Sequence, residues 1–129
     1  MTKPQPTVAI VGASADRTKY GNKSLRAHLA QGFQVFPVNP KGGEIEGLKV
    51  YSKLSELPGP VDRVSMYVPP AVGLSMMDEI AKLKPQELWL NPGSESDELY
   101  EKATALGLNV IIACSIIDIG TTPMAFGDA

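Results

Sequence analysis

The chain has 129 residues, of which 43% are hydrophobic and 20% charged, and its formal net charge at pH 7 is −2. These values are typical of one soluble folded domain, so we expect residues 1–129 to form a single domain without a separate catalytic domain. The acidic balance argues against a broad basic surface for nucleic acid, and the single cysteine, Cys114, excludes an intramolecular disulfide or a multi-cysteine metal site.

The cysteine count and the first residues of the chain also bear on its location. A lone cysteine fits a reducing compartment. The first apolar run, residues 8–11, is too short for the core of a signal peptide or for a membrane span. We therefore expect a cytoplasmic protein that makes no contact with a membrane.

In chain order, the first predicted element is a buried strand over residues 7–12, a β-branched apolar run that ends in glycine. A helix follows over residues 22–31, with Gly32 as its C-terminal cap. Its apolar residues at helical spacing are Leu25, Leu29 and Ala30. A second strand is predicted over residues 33–38, then a short strand at 48–51 and a helical turn near 52–57.

The second half of the chain repeats the alternation. Strands are predicted over residues 63–68, 87–90 and 109–113, with helices over 71–83 and 95–106 and an irregular tail from Gly120. The predicted inner faces of the two helices consist of Val72, Met76, Ile80 and Leu83, and of Leu99, Ala103 and Leu106. Met77 is interpreted as core-filling, like Met76. Ser94 with Asp97 resembles a capping box for the last helix.

Strands that alternate with helices predict a Rossmann-like α/β fold of three layers, in which a mainly parallel sheet of about five strands carries helices on both faces. Ligands of such sheets bind beyond the carboxyl ends of the strands. The residues that follow each predicted strand are therefore the candidates for function.

The segment after the first strand, residues 12–22, is a candidate phosphate loop. Gly12 permits a close backbone approach, and the amino end of the following helix attracts a diphosphate. Ser14 offers a hydroxyl and Lys19 a positive charge. The loop does not match G-x-G-x-x-G, because Ser14 occupies the place of the second glycine and the next glycine is Gly21. An ordinary turn between strand and helix is the alternative.

The second strand ends in Asn39, Pro40 and Lys41, where an enzyme that uses NAD has an Asp or Glu for the ribose hydroxyls. Lys41 instead suits a phosphate on the ribose, either the 3′-phosphate of coenzyme A or the 2′-phosphate of NADP. The alternative is a solvated loop lysine. The third strand runs into Val68 and Pro69, and the fourth into residues 91–93, where proline can also simply end a strand.

This order of motifs resembles the CoA-binding domain family, which includes the N-terminal domain of the succinyl-CoA synthetase α subunit and small stand-alone bacterial proteins. The resemblance covers residues 7–115, nearly the whole chain. The residues that carry it are Val11, Gly12, Ala13, Ser14, Lys19, Tyr20, Gly21, Asn22, Pro37, Val38, Asn39, Pro40, Lys41, Tyr67, Val68, Pro69, Asn91, Pro92 and Gly93.

The resemblance implies that the ligand is coenzyme A or a short acyl-CoA. It implies that residues 12–14 hold the diphosphate, that Lys41 lies near the nucleotide phosphates, and that Val68 and Pro69 line the adenine crevice. Residues 91–93 correspond to the segment that contacts the pantetheine arm.

Catalytic residues are not evident in the sequence. The synthetase works through a phosphorylated histidine on a second domain, and this chain has no matching residue. Its single histidine, His28, falls in the first helix among polar neighbours and is predicted to be a surface or boundary residue. Cys114 follows the last strand and could meet the thiol of coenzyme A in a mixed disulfide, or could be an inert, half-buried residue.

We therefore expect a module that binds coenzyme A without catalysing a reaction. Two alternatives remain at this stage: a regulatory or oxidoreductase domain that binds NADP or NAD, and an interaction subunit whose nucleotide site has decayed. The sequence does not identify a protein partner.

Overall fold

A central sheet of five parallel strands organises the protein, which is described by a computed structural model covering residues 5–127. The strands of this sheet are β1 (Thr7–Val11), β2 (Gln34–Val38), β5 (Arg63–Met66), β6 (Glu87–Leu90) and β7 (Val110–Ile112). Two further short strands, β3 (Glu44–Ile45) and β4 (Leu48–Lys49), lie outside it. The helices are α1 (Tyr20–Ala30), α2 (Pro70–Leu83), α3 (Asp97–Ala105) and α4 (Ser115–Asp118), with 3₁₀ turns at Leu54–Glu56 and Pro123–Ala125.

The order of strands in the sheet is β2-β1-β5-β6-β7, and β3 pairs with β4 in a separate antiparallel hairpin. Successive residues of a strand point to opposite faces of the sheet, so β1 contributes to two cores. Val8 and Ile10 pack with Leu25 of α1 on one face. Ala9 and Val11 pack on the other face with residues of α2 and α3. The Rossmann-like three-layer prediction is confirmed.

The predicted strands all occur, but three local features differ from the expectation. Strand β4 corresponds to the short strand predicted at residues 48–51, but its partner β3 and the short helix α4 were not predicted, because a two-residue strand and a four-residue helix have too few residues to show a period. The cap of α3 is Ser96, whose hydroxyl accepts a hydrogen bond from the backbone of Leu99 at 3.1 Å. The capping role predicted for Ser94 is wrong, because Ser94 is buried and its backbone bonds Asn91 in the preceding turn.

The inner face of α1 also differs from the prediction. Leu29 is 38% exposed and Ala30 is exposed, whereas Ser24, Leu25 and His28 are fully buried. The surface or boundary placement of His28 is wrong. Its ring nitrogen Nδ1 lies 2.8 Å from the carbonyl oxygen of Ser24, and its ring packs edge-on against Phe33. Local hydrogen bonding and aromatic packing thus let a polar residue occupy the inner face.

The inner faces of α2 and α3 are narrower than predicted. Gly73, Met77 and Ile80 are the buried residues of α2, while Val72 is 45% exposed. Leu106, predicted to point inward, lies just after α3 and is 40% exposed. Within residues 5–127, no helix combines the length and the apolar character needed to cross a bilayer.

Candidate functional site

Two clefts open at the carboxyl ends of the parallel strands. The first has a volume of about 900 Å³ and lies between the end of β2 and helix α2. The second has a volume of about 520 Å³ and lies between the start of α1 and the segment after β6. Gly12, Val68 and Pro69 line both clefts, so these three residues form their junction.

The two clefts have different linings. The first is lined by Val11, Gly12, Val38, Asn39, Pro40, Ser52, Lys53, Leu54, Ser55, Val68, Pro69, Val72, Met76, Glu79, Lys82 and Leu83. The second is lined by Gly12, Thr18, Lys19, Tyr20, Gly21, Tyr67, Val68, Pro69, Pro92, Gly93 and Ser94. The first therefore combines an apolar floor with charged groups, and the second is rich in hydroxyl groups.

Gly12 packs too closely against the end of β5 for any other residue. Its φ is +89°, and a Cβ atom built there would lie 2.6 Å from the carbonyl oxygen of Tyr67. Gly21, in the first turn of α1, packs in turn against the carbonyl of Gly12 with no room for a side chain. These two glycines bring the start of α1 down onto the strand ends, next to the junction.

The amino ends of α1 and α2, which lie at this junction, differ from the amino end of α3. Lys19 precedes α1 and Pro69 precedes α2, and neither helix has a side-chain cap or an acidic residue in its first turn. Helix α3, by contrast, has the Ser96 cap and two acidic residues in its first turn. The amino ends of α1 and α2 therefore keep the partial positive charge that favours an anion.

Three asparagines predicted as ligand residues brace the loops at the strand ends. Their side-chain Nδ2 atoms donate to backbone carbonyls, from Asn22 to Ser14 at 2.8 Å, from Asn39 to Ala13 at 2.8 Å and from Asn91 to Met66 at 2.9 Å. Asn91 is buried, and its Oδ1 accepts from the backbone of Ser115. These side chains fix the loops that form the clefts.

A buried polar network lies beneath the second cleft. The hydroxyl oxygens of Ser65 and Ser115 are 2.7 Å apart, and the hydroxyl of Tyr67 is 3.1 Å from that of Ser115. Burial raises the pKa of Tyr67, against the opposing effect of its hydrogen bond to Ser115. The tyrosine hydroxyl therefore stays protonated at neutral pH. Cys114 directly precedes Ser115 in the sequence; it is partly buried and lines neither cleft.

The structure brings together most, but not all, of the predicted site residues. Those that line a cleft are Gly12, Lys19, Tyr20, Gly21, Asn39, Pro40, Val68, Pro69, Pro92 and Gly93. Those that line neither are Ala13, Ser14, Asn22, Lys41 and Asn91. Lys41 is exposed on the turn after β2, where its backbone N–H bonds the side chain of Asn39 at 2.9 Å.

Sequence reasoning missed the wall of the first cleft that faces the end of β2. Val72, Met76 and Leu83 belong to the stripe predicted as core, but they line the cleft. Lys53 also lines it, because Tyr51 forms a parallel bridge with Val38 and so places residues 52–55 at the same edge of the sheet. The helical spacing of the apolar residues of α2 could have indicated that Val72, Met76 and Leu83 share a face, whereas nothing in the sequence indicated that Lys53 lies at the cleft. Among residues 5–127, no three His, Cys, Asp or Glu side chains are grouped as a metal site.

Comparison with known proteins gives a consistent result. The sequence model of a family described as "CoA binding domain" matches residues 6–119. The alpha subunit of the ADP-forming acetate–CoA ligase II of Pyrococcus furiosus is 40% identical over 65 residues, which are 48% of this chain and 14% of that subunit. The chain thus spans about one seventh of that relative.

Two solved structures show the same fold. A conserved hypothetical protein from Pyrococcus furiosus has a TM-score of 0.80 at 40% identity, with 88% of this chain and 98% of that chain covered. The dinucleotide-forming acetyl-coenzyme A synthetase 1 of Ca. Korarchaeum cryptofilum has a TM-score of 0.71 at 31% identity, with 83% of this chain but only 25% of that chain covered. The fold therefore occurs both as a small separate protein and as part of a larger one.

Proposed function

We propose that this chain, which belongs to the CoA-binding domain family, binds coenzyme A, free or with a short acyl group, across the carboxyl ends of its parallel strands. The observation that carries the proposal is the junction of the two clefts. There a glycine at positive φ meets two helix amino ends that have neither a side-chain cap nor an acidic residue in the first turn. Such a junction suits a diphosphate, which needs close backbone approach and positive partial charges.

The clefts on either side suit the two ends of the same ligand. Coenzyme A has a phosphorylated adenosine on one side of its diphosphate and the pantetheine arm on the other. In the proposed mode the adenosine occupies the first cleft, where Val38, Leu54 and Met76 provide apolar surface. The arm occupies the second cleft, where the hydroxyl groups of Thr18 and Tyr20 can bond its amides.

We further propose that the chain performs no reaction on the ligand by itself. The imidazole of His28 is buried in the core on the α1 side of the sheet and lines neither cleft. In this proposal the chain binds or presents coenzyme A, and any chemistry belongs to another protein.

Thermal unfolding in the presence of ligands tests the proposal. A ligand that binds only the folded state raises Tm in proportion to the logarithm of its concentration. We expect coenzyme A to raise Tm by several degrees at a concentration where NAD does not, with dephospho-CoA and NADP as comparisons. A rise in Tm with NADP or NAD and none with coenzyme A would contradict the proposal and favour a dinucleotide-binding domain.

A further inference from the structure

The tip of the β3–β4 hairpin has an uncommon backbone conformation and lies next to the candidate phosphate loop. Ile45 of β3 is buried in the same core as Ala13, so the hairpin is anchored beside the start of this loop. The next two residues, Glu46 and Gly47, form the turn, with φ of +51° and +79°. Such a turn favours glycine or asparagine, and other residues rarely adopt positive φ. The backbone therefore gives no reason for a glutamate at this position, and its side-chain contacts are the relevant feature.

The carboxylate of Glu46 contacts the candidate phosphate loop at two residues. Its Oε1 lies 2.8 Å from Nη1 of Arg17, and its Oε2 accepts a hydrogen bond from Nδ2 of Asn22 at 3.3 Å. The same Nδ2 donates to the carbonyl of Ser14 at 2.8 Å. Arg26 donates to the carbonyl of Arg17 and to the side chain of Asn22, at 2.9 and 2.7 Å. The hairpin tip is thus connected to both ends of the loop.

The other side-chain hydrogen bonds within the loop are local. The hydroxyl of Ser14 accepts from the backbone N–H of Asp16 at 3.1 Å, and the carboxylate of Asp16 accepts from the backbone N–H of Thr18 at 3.0 Å. These bonds join residues two apart, so they shape the loop without fixing its position relative to the sheet. Thr18 and Lys19 line the second cleft and directly follow Arg17, which lines neither cleft. The ion pair of Arg17 therefore acts on the cleft through the loop.

We propose that Glu46 is a positioning residue, which acts on the ligand through Arg17 and Asn22. Its two contacts hold the loop over the strand ends and so keep Lys19 at the second cleft. The inference rests on the proposed function, because that function places an anionic ligand at this loop. The carboxylate of Glu46 also repels an anion, so its two effects on affinity have opposite signs. Removal of the carboxylate strengthens binding if its charge dominates and weakens binding if its hold on the loop dominates.

Isothermal titration calorimetry with coenzyme A measures this sign. We expect Glu46→Ala and Arg17→Ala each to weaken binding about three-fold, as suits a partly exposed ion pair. The double variant should bind no more weakly than the weaker of the two single variants, because either substitution breaks the same contact. The exchanged pair, Arg17→Glu with Glu46→Arg, should bind more tightly than Glu46→Arg alone, although the exchanged pair has less positive charge.

Glu44→Ala is the matched control, because Glu44 lies on the same hairpin, is exposed and forms no ion pair within residues 5–127. It should leave the affinity unchanged. Tighter binding by Glu46→Ala, or a lower Tm with unchanged affinity, would overturn the inference, since the first is an effect of charge alone and the second an effect on stability alone. Losses that add in the double variant would also overturn it. Failure of the unaltered protein to bind coenzyme A would instead overturn the proposed function.

Discussion

The burial of His28 in the packing of α1 is expected to make the stability of this protein depend on pH. Its side chain is fully buried on the inner face of α1, and burial lowers its pKa from 6.5 to about 4. The hydrogen bond to the carbonyl of Ser24 opposes this shift, and the positive charge of Arg63 adds to it. The imidazole is therefore neutral in the folded protein at neutral pH, and it must become charged or exposed when the pH falls.

The sign of the resulting pH dependence follows from the two pKa values. Between pH 6.5 and about pH 4 the unfolded chain binds a proton at His28 and the folded chain does not. The contribution of His28 to stability is thus fully present above pH 6.5 and is lost as the pH falls toward 4. We expect the free energy of unfolding to decrease by about 2 kcal/mol between pH 7 and pH 5 from this residue alone.

Urea unfolding of the protein and of His28→Gln at pH 7 and pH 5 measures this contribution. The variant cannot titrate at this position, so its stability should change much less over the same range, whatever its stability at pH 7. An equal change in both proteins would show that other groups cause the pH dependence. His28 lines neither cleft, so the affinity for coenzyme A in the folded variant should be unchanged at pH 7.

At the scale of the element, α2 serves both the core and the first cleft. Met77 is fully buried beneath the helix, and its neighbour Met76 is only partly buried and lines the cleft. Gly73 allows α2 to pack closely against α3, because a Cβ atom at this position would lie 3.3 Å from the side chain of Leu99. Of these two adjacent methionines, Met77 therefore contributes to the stability of the fold and Met76 to the proposed binding site.

Alanine substitution of the two methionines tests this separation. Met77→Ala should lower the free energy of unfolding by about 2–5 kcal/mol, because it leaves a cavity in the core. Met76→Ala should cost about 1 kcal/mol or less, and it should weaken coenzyme A and dephospho-CoA binding equally, by about three-fold or more, since it removes apolar surface from the cleft. Chemical denaturation and calorimetry give the two quantities. A similar loss of stability in both variants with unchanged affinity would contradict this assignment.

At the scale of the whole molecule, the proposed absence of activity requires a direct assay. The chain matches about one seventh of the ligase subunit to which it is similar, so that enzyme's reaction does not follow from the family alone. We expect the purified protein neither to form nor to hydrolyse thioesters of coenzyme A, with or without nucleoside triphosphate and metal, because no cleft contains its histidine.

Release or consumption of free thiol is the measurement, with acetyl-CoA, succinyl-CoA and a longer acyl-CoA at protein concentrations near that of the substrate. Glu79→Gln serves as the variant, because Glu79 has the one carboxylate among the residues that line the two clefts. Turnover beyond one equivalent that this variant abolishes would show that the protein is an enzyme.

The sequence by itself determined the order of the elements and the edge of the sheet where the candidate site lies. Apolar runs such as residues 7–12 are buried on both faces of a parallel sheet, so their hydrophobicity marks them without knowledge of their partners. Gly12, Pro69 and Pro92 mark the strand ends in the same way, because backbone geometry is encoded in residue type. This local information also sufficed for the family resemblance, which the match over residues 6–119 confirms.

Only the tertiary structure decided which side chains face the clefts. Helical spacing placed Val72 and Met76 on the same face of α2 as Ile80. In the structure Ile80 is buried in the core, whereas Val72 and Met76 line the first cleft. Likewise, Lys41 follows a strand that the sequence revealed, whereas Lys53 reaches the first cleft through a bridge between Tyr51 and Val38. The direction of a side chain depends on contacts between residues distant in sequence, and a local pattern contains no record of those contacts.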